Sequence, residues 1–243
     1  MNRNIPLVVG ITILFLGLAV QPSIATLQPE VKTDVETKNY LFQTIIDITN
    51  NPEVKNLFEQ YKYDLFKVDI DRSVYRKIFF RNPRVLFQLI FTKPSMSHKY
   101  LNFAYNQGIK ITSIIGEDKA FELIESIKVT DTKLFDELND IIVNNEELSD
   151  RLVVLEEMDK EYVSDLTWDY SVYEVICNIL WKLLIASLIL YGFILLFDYM
   201  FNQNSVISRF LYYYIEIPYI YIVIAPPFLL YFKVFECEEL PWY

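Results

Sequence analysis

The sequence predicts an all-α protein in two unlike parts, a polar helical domain followed by an apolar C-terminal helical hairpin. Three observations predict it. From Glu117 to Tyr191 there is neither glycine nor proline, whereas a sandwich or barrel needs turn residues about every 8–12 positions. Helix-start signals recur through the first part. Composition is also segregated: apolar residues make up 53% of the 243 positions and charged residues 22%. The first value is above the soluble average and the second close to it, so apolar and polar runs occupy separate places.

The chain opens with "MNRNIPLVVGITILFLGLAVQPSIATLQPE". Arg3 and the amino terminus give a positive start, Ile5 to Val20 is uncharged and apolar, and Ser23-Ile24-Ala25 puts small residues before a cut. That layout predicts a secretory signal peptide over 1–25, with an uncleaved anchor as the alternative. A linker is expected over 26–38.

The polar domain, 39–170, is read as a succession of helices. "NNPEVKNLFEQYKYDLF" opens with Asn51 as cap and Pro52 at the first helical position. Val54, Leu57, Phe58, Tyr61 and Leu65 form its apolar stripe. "RNPRVLFQLIF" repeats the signal with Asn82 and Pro83. "GEDKAFELIESI" places Glu117 and Asp118 in a first turn, where the helix dipole favours acids. Two further helices meet near Asn144-Asn145, and the last runs on through Leu166 toward the apolar part or breaks at a hinge in "SDLTWDYS". "ITNNPEVKNLF" and "IVNNEELSDRL" share an Ile-x-Asn-Asn-x-Glu pattern, which two good helix starts explain as well as a duplication does.

The apolar part, 171–235, holds two runs. "ICNILWKLLIASLILYGFILLFDYMF" is long enough to cross a hydrocarbon core of roughly 30 Å as a helix over about 176–201. "YYYIEIPYIYIVIAPPFLLYF" is read as the return span over about 210–233, with a re-entrant or interfacial segment as the alternative. Pro226-Pro227 is expected to kink it. An acidic tail, 236–243, follows. The fold class expected is therefore a helical extracytoplasmic domain of antiparallel helix hairpins followed by a transmembrane helical hairpin. The matching location is the cell membrane, multi-pass, with the helical domain on the extracytoplasmic side.

"IIGEDKAFELIESIKVT" followed by "LFDELNDIIVNNEELSDRL" resembles segments of uncharacterised exported, membrane-anchored archaeal proteins, over Tyr100 to Met158. The resemblance implies a recurring helical extracytoplasmic module and brings no activity with it.

Residues that could carry chemistry are few. Cys177 and Cys237, the two cysteines, lie at the same end of the expected hairpin, so a disulfide and two free thiols are both open. Lys182 and Glu216 are read as interfacial charges that snorkel, with intramembrane function as the alternative. His98 stands without a second ligand at metal spacing, and Asp71 is expected to cap the helix beginning at Arg72. No phosphate-binding glycine loop or nucleophile elbow occurs. No catalytic, cofactor or metal site is expected.

Charge is uneven. Lys67 to Lys110 carries nine basic and two acidic residues, Ile111 to Tyr170 five basic and seventeen acidic. The halves are expected to attract each other within the fold, or the basic half to face anionic headgroups. With a formal charge of −10, nucleic acid is not an expected partner. The expected partners are the lipid bilayer and another envelope or membrane protein, and the sequence names no small-molecule ligand. The function class expected is a membrane-anchored interaction or structural protein, not an enzyme. The alternative is a small accessory subunit of a membrane transporter or enzyme complex.

Overall fold

Helix starts are where the sequence speaks most directly. The computed structural model describes residues 32–60, 66–67, 71–92, 95–126, 128–129, 132–162, 172–201, 225–235 and 237. Its elements are α1 (Lys32–Asn50), α2 (Pro52–Gln60), β1 (Phe66–Lys67), α3 (Arg72–Arg81), α4 (Pro83–Phe91), α5 (His98–Ile115), α6 (Glu117–Glu125) and β2 (Lys128–Val129). They continue with α7 (Thr132–Asn144), α8 (Glu146–Tyr162), α9 (Val172–Phe201), α10 (Ala225–Leu229) and a π-helical turn, Leu230–Val234. The described part is all-α apart from one two-residue antiparallel ladder that pairs Phe66 with Val129 and Lys67 with Lys128.

The caps are local and follow the expected chemistry. Asn51 Oδ1 accepts from the backbone N–H of Glu53 at 2.8 Å and of Val54 at 3.3 Å, opening α2. Asp71 accepts from Ser73 N–H at 2.8 Å, opening α3. Asn145 accepts from Leu148 N–H at 3.1 Å, opening α8. Each satisfies a backbone donor that the first helical turn leaves without a partner. Gly116, at φ +96°, joins α5 to α6 in a conformation side-chain-bearing residues rarely adopt. Asn82 precedes Pro83 as expected but makes no side-chain cap bond.

The echoed "NN" segments fall at two equivalent helix junctions. Ile48 and Ile142 are buried before them, Val54 and Leu148 after them. α1 packs on α8, and α2 packs on α7. Exchanging the pairs α1–α2 and α7–α8 therefore leaves this contact scheme unchanged. Asp47 of α1 ties the scheme to α8 through Arg151, at 2.9 Å.

At the centre lies α9. It packs most extensively along α5 and also meets α1, α4, α6, α8 and α10. Of its most apolar window, 83% is buried within the protein. Two glycines set the close approaches. A Cβ on Gly108 of α5 would fall 1.9 Å from the Lys182 carbonyl oxygen of α9, and one on Gly192 of α9 would fall 1.8 Å from the Tyr75 hydroxyl of α3. That hydroxyl is 3.4 Å from the Leu188 carbonyl, to which it donates. Four buried hydroxyls inside the helices are satisfied locally. The hydroxyls of Thr44, Thr49, Thr112 and Ser187 each donate to the carbonyl four residues earlier.

Three of the expected segments are met by described elements. The helix α1 begins at Lys32, inside the segment expected as a linker over 26–38, and Thr37 and Lys38 are buried. Across the boundary placed near 170, Lys32–Tyr243 groups as one compact unit, and described residues from both sides share one hydrophobic cluster. Of the stripe expected from Val54 to Leu65, Val54 and Leu57 are buried in α2, and Tyr61 and Leu65 lie outside the described residues. Within the expected return span, Pro226 and Pro227 are buried beside α9 and α1. The signal peptide, the hinge near Trp168, Glu216, the rest of the return span and the tail beyond Cys237 lie outside the described residues.

Candidate functional site

Of the residues singled out in the sequence, Cys177, Cys237 and Lys182 lie at the N-terminal end of α9. Cys177, one turn into the helix, is disulfide-bonded to Cys237, with Cα atoms 5.5 Å apart. Both cysteines are fully buried. The bond clamps the π-helical turn and the end of α10 onto α9.

One turn further on stand Trp181 and Lys182. Lys182 is enclosed by side chains of α6 and α9. Its ammonium lies 3.5 Å from the Trp181 ring centroid and 4.0 Å from Glu117 Oε1, and the residue is buried. Phe121 of α6 stacks on Trp181 at 4.3 Å and 16°. The N-terminal acid of α6 thus faces the ammonium, and Phe121, four residues further on, stacks on the same Trp181 ring that the ammonium contacts. Burial is the larger influence and lowers the Lys182 pKa to about 8, while Glu117 acts in the opposite sense. The ammonium therefore persists at neutral pH, covered by a ring and a carboxylate.

The arrangement yields a sign for pH dependence. In the window from about 8 to the ordinary value of 10.5 the unfolded chain binds more protons than the folded one. Native stability contributed by this group is thus lowest below pH 8 and rises through the window. Replacing a buried charge by an apolar side chain of similar size is neutral to stabilising. We expect Lys182→Met to raise stability by about 1 kcal/mol or more near neutrality, and its advantage over the wild type to shrink toward pH 10.5. Urea midpoints of both proteins at the two ends of the window measure this. An advantage that is constant across the window would show that Lys182 is solvated.

Asp71 also carries more than its cap. Lys119 of α6 reaches it at 3.0 Å, and Ser73 and Lys119 together hold its carboxyl down to about 2. His98 opens α5 as an exposed residue bonded to Gln43 Oε1 at 2.9 Å. Among the described residues no three His, Cys, Asp or Glu side chains gather as metal ligands.

Sequence reasoning missed two features. Gly108 and Glu117 both act on Lys182 from across the fold, and nothing in their neighbours announces it. On the outer face of α3–α4, Phe79, Phe80 and Phe91 are 50%, 76% and 71% exposed. The Phe79-Phe80 pair followed by Arg81 was a legible signal, since no helical stripe can bury both rings together with Val74, Tyr75 and Ile78.

Comparison with protein families, with curated proteins and with solved structures gives no match. The resemblance to archaeal exported proteins brings no site residue to this chain.

Proposed function

We propose that this chain is an exported, disulfide-clamped helical protein that acts by binding at the outer side of the membrane, with α9 as an interior helix and not a bilayer span. The observation that carries this reading is the outer face of α5, the helix packed closest to α9. It presents Lys99, Asn102, Asn106, Lys110 and Ser113 outward. Hydrocarbon would strand the two ammonium groups and the two amides, whereas water accepts them. The buried Cys177–Cys237 bond supports an oxidising compartment, and the apolar N-terminal run supports export. The partner in this reading is another envelope component or the membrane surface.

A second reading keeps α9 as a span of a membrane complex. It is favoured by one observation: Val172–Leu196 is 25 residues long and apolar enough to cross. Alkaline carbonate extraction of membranes from expressing cells separates the two. Release of the full chain into the soluble fraction is the expected result. Retention in the pellet, repeated when 1–25 is replaced by a signal peptide known to be cleaved, sinks the interior-helix reading.

A further inference from the structure

The basic, aromatic face of α3–α4 has no role in the core. α3 buries Val74, Tyr75 and Ile78. At about 3.6 residues per turn the opposite face carries Arg76 and Phe80, with Arg72 and Phe79 beside them. All four are exposed. Phe79 and Phe80 stand edge to face, their centroids 6.0 Å apart. An ordinary amphipathic helix carries polar groups on that side, so two adjacent rings among arginines call for a surface that accepts both.

The electrostatics narrow the choice. Residues 72–92 contain Arg72, Arg76, Lys77, Arg81 and Arg84 and no acid, in a chain of formal charge −10. The cations flanking α3 on its α5 side reach backbone carbonyls at the end of α5. Lys77 Nζ donates to the Ile115 carbonyl at 2.8 Å and Arg81 to the Ile114 carbonyl at 3.3 Å. These bonds hold α3 on the end of α5, and the Lys119–Asp71 pair holds its start on α6. The outer face is therefore rigidly presented.

We infer that α3–α4 docks this protein on an anionic lipid surface, with Phe79 and Phe80 entering the boundary between headgroups and acyl chains and Arg76 engaging phosphate. Phenylalanine supplies the apolar insertion and arginine the charge-assisted bonds, the combination used by helices that lie on a membrane. Anionic headgroups offer a continuous negative potential that needs no matched pocket. A second copy of the chain offers acidic α7 and α8, but the large apolar side chains exposed there are only Val143 and Val153 among the described residues. These give the rings little to enter.

Co-sedimentation of the purified full chain with phosphatidylcholine vesicles, with and without one-third phosphatidylglycerol, tests this. Binding to the anionic vesicles should exceed binding to the neutral ones by about tenfold and fall with added salt. Arg76→Glu should weaken it by at least about fivefold, and Phe79→Ser/Phe80→Ser by a similar factor, with helix content and melting unchanged because the side chains are exposed. Wild-type binding by both variants overturns the inference, as does an absence of binding to either vesicle; neither result touches the interior-helix reading. Equal, salt-independent binding to both vesicles reports insertion and overturns both. Loss of a self-associated species in the Phe79→Ser/Phe80→Ser variant, with no lipid effect, assigns the face to a second copy instead.

Discussion

Gly108→Ala is expected to lower the melting temperature of the full chain by about 2–12 °C. Alanine is the better helix former by about 1 kcal/mol, so in an exposed helix the change would stabilise. Here the added methyl group would lie 1.9 Å from the Lys182 carbonyl oxygen and 2.6 Å from its carbonyl carbon. Both belong to the backbone of α9 and cannot rotate away. The α5–α9 pair must separate, and overpacking of this sort costs about 1–3 kcal/mol or more. For a chain of this size each kcal/mol corresponds to about 2–4 °C. Gly192→Ala supplies the comparison. Its Cβ meets the Tyr75 hydroxyl, the end of a side chain, so its effect should be smaller and should be recovered in part by Tyr75→Phe. Thermal melts followed by circular dichroism read both. Equal melting of Gly108→Ala and wild type would mean that α5 and α9 do not approach closely.

Reduction of Cys177–Cys237 is the second large effect. The bond closes a loop of 60 residues, and in the chain-entropy picture such a loop constrains the unfolded state by about 4 kcal/mol. The Cys177→Ser/Cys237→Ser protein should therefore lose about 4 kcal/mol in urea. With overall stabilities of roughly 5–15 kcal/mol for a native protein, that is a large share. The loss should come mainly from the unfolded state, so the packing of Trp181, Lys182 and Phe121 should survive in the folded fraction, read as unchanged tryptophan fluorescence. Peptide mapping of the denatured, unreduced protein should recover the two cysteines in one linked species. Two alkylated, unlinked cysteines there would remove the bond and its support for an oxidising compartment.

The helices of the polar part were legible because their signals act over a few residues. A cap at Asn51, Asp71 or Asn145 reaches the second or third N–H ahead of it, and that reach lies within any short window of sequence. The buried positions Ala120, Leu123 and Ile124 recur at helical spacing, a pattern that also fits within a short window. The ladder of Phe66–Lys67 with Lys128–Val129 was not. It joins segments far apart in the chain, and two residues give no alternation to read. The early start of α1 escaped for a related reason: "KTDVETK" has no apolar stripe of its own, and tertiary packing buries Thr37 and Lys38.

By itself, the sequence determined that the run over about 176–201 forms a long apolar helix and where the neighbouring helices start. It did not determine the solvent of that long helix. Leucine and isoleucine lose water equally on entering lipid or protein, so the same residues serve both. Tertiary structure decided what surrounds α9, through Gly108 letting α5 approach, Glu117 and Trp181 housing Lys182, and Cys237 returning to Cys177. Each of these depends on a partner that only three-dimensional packing brings within reach.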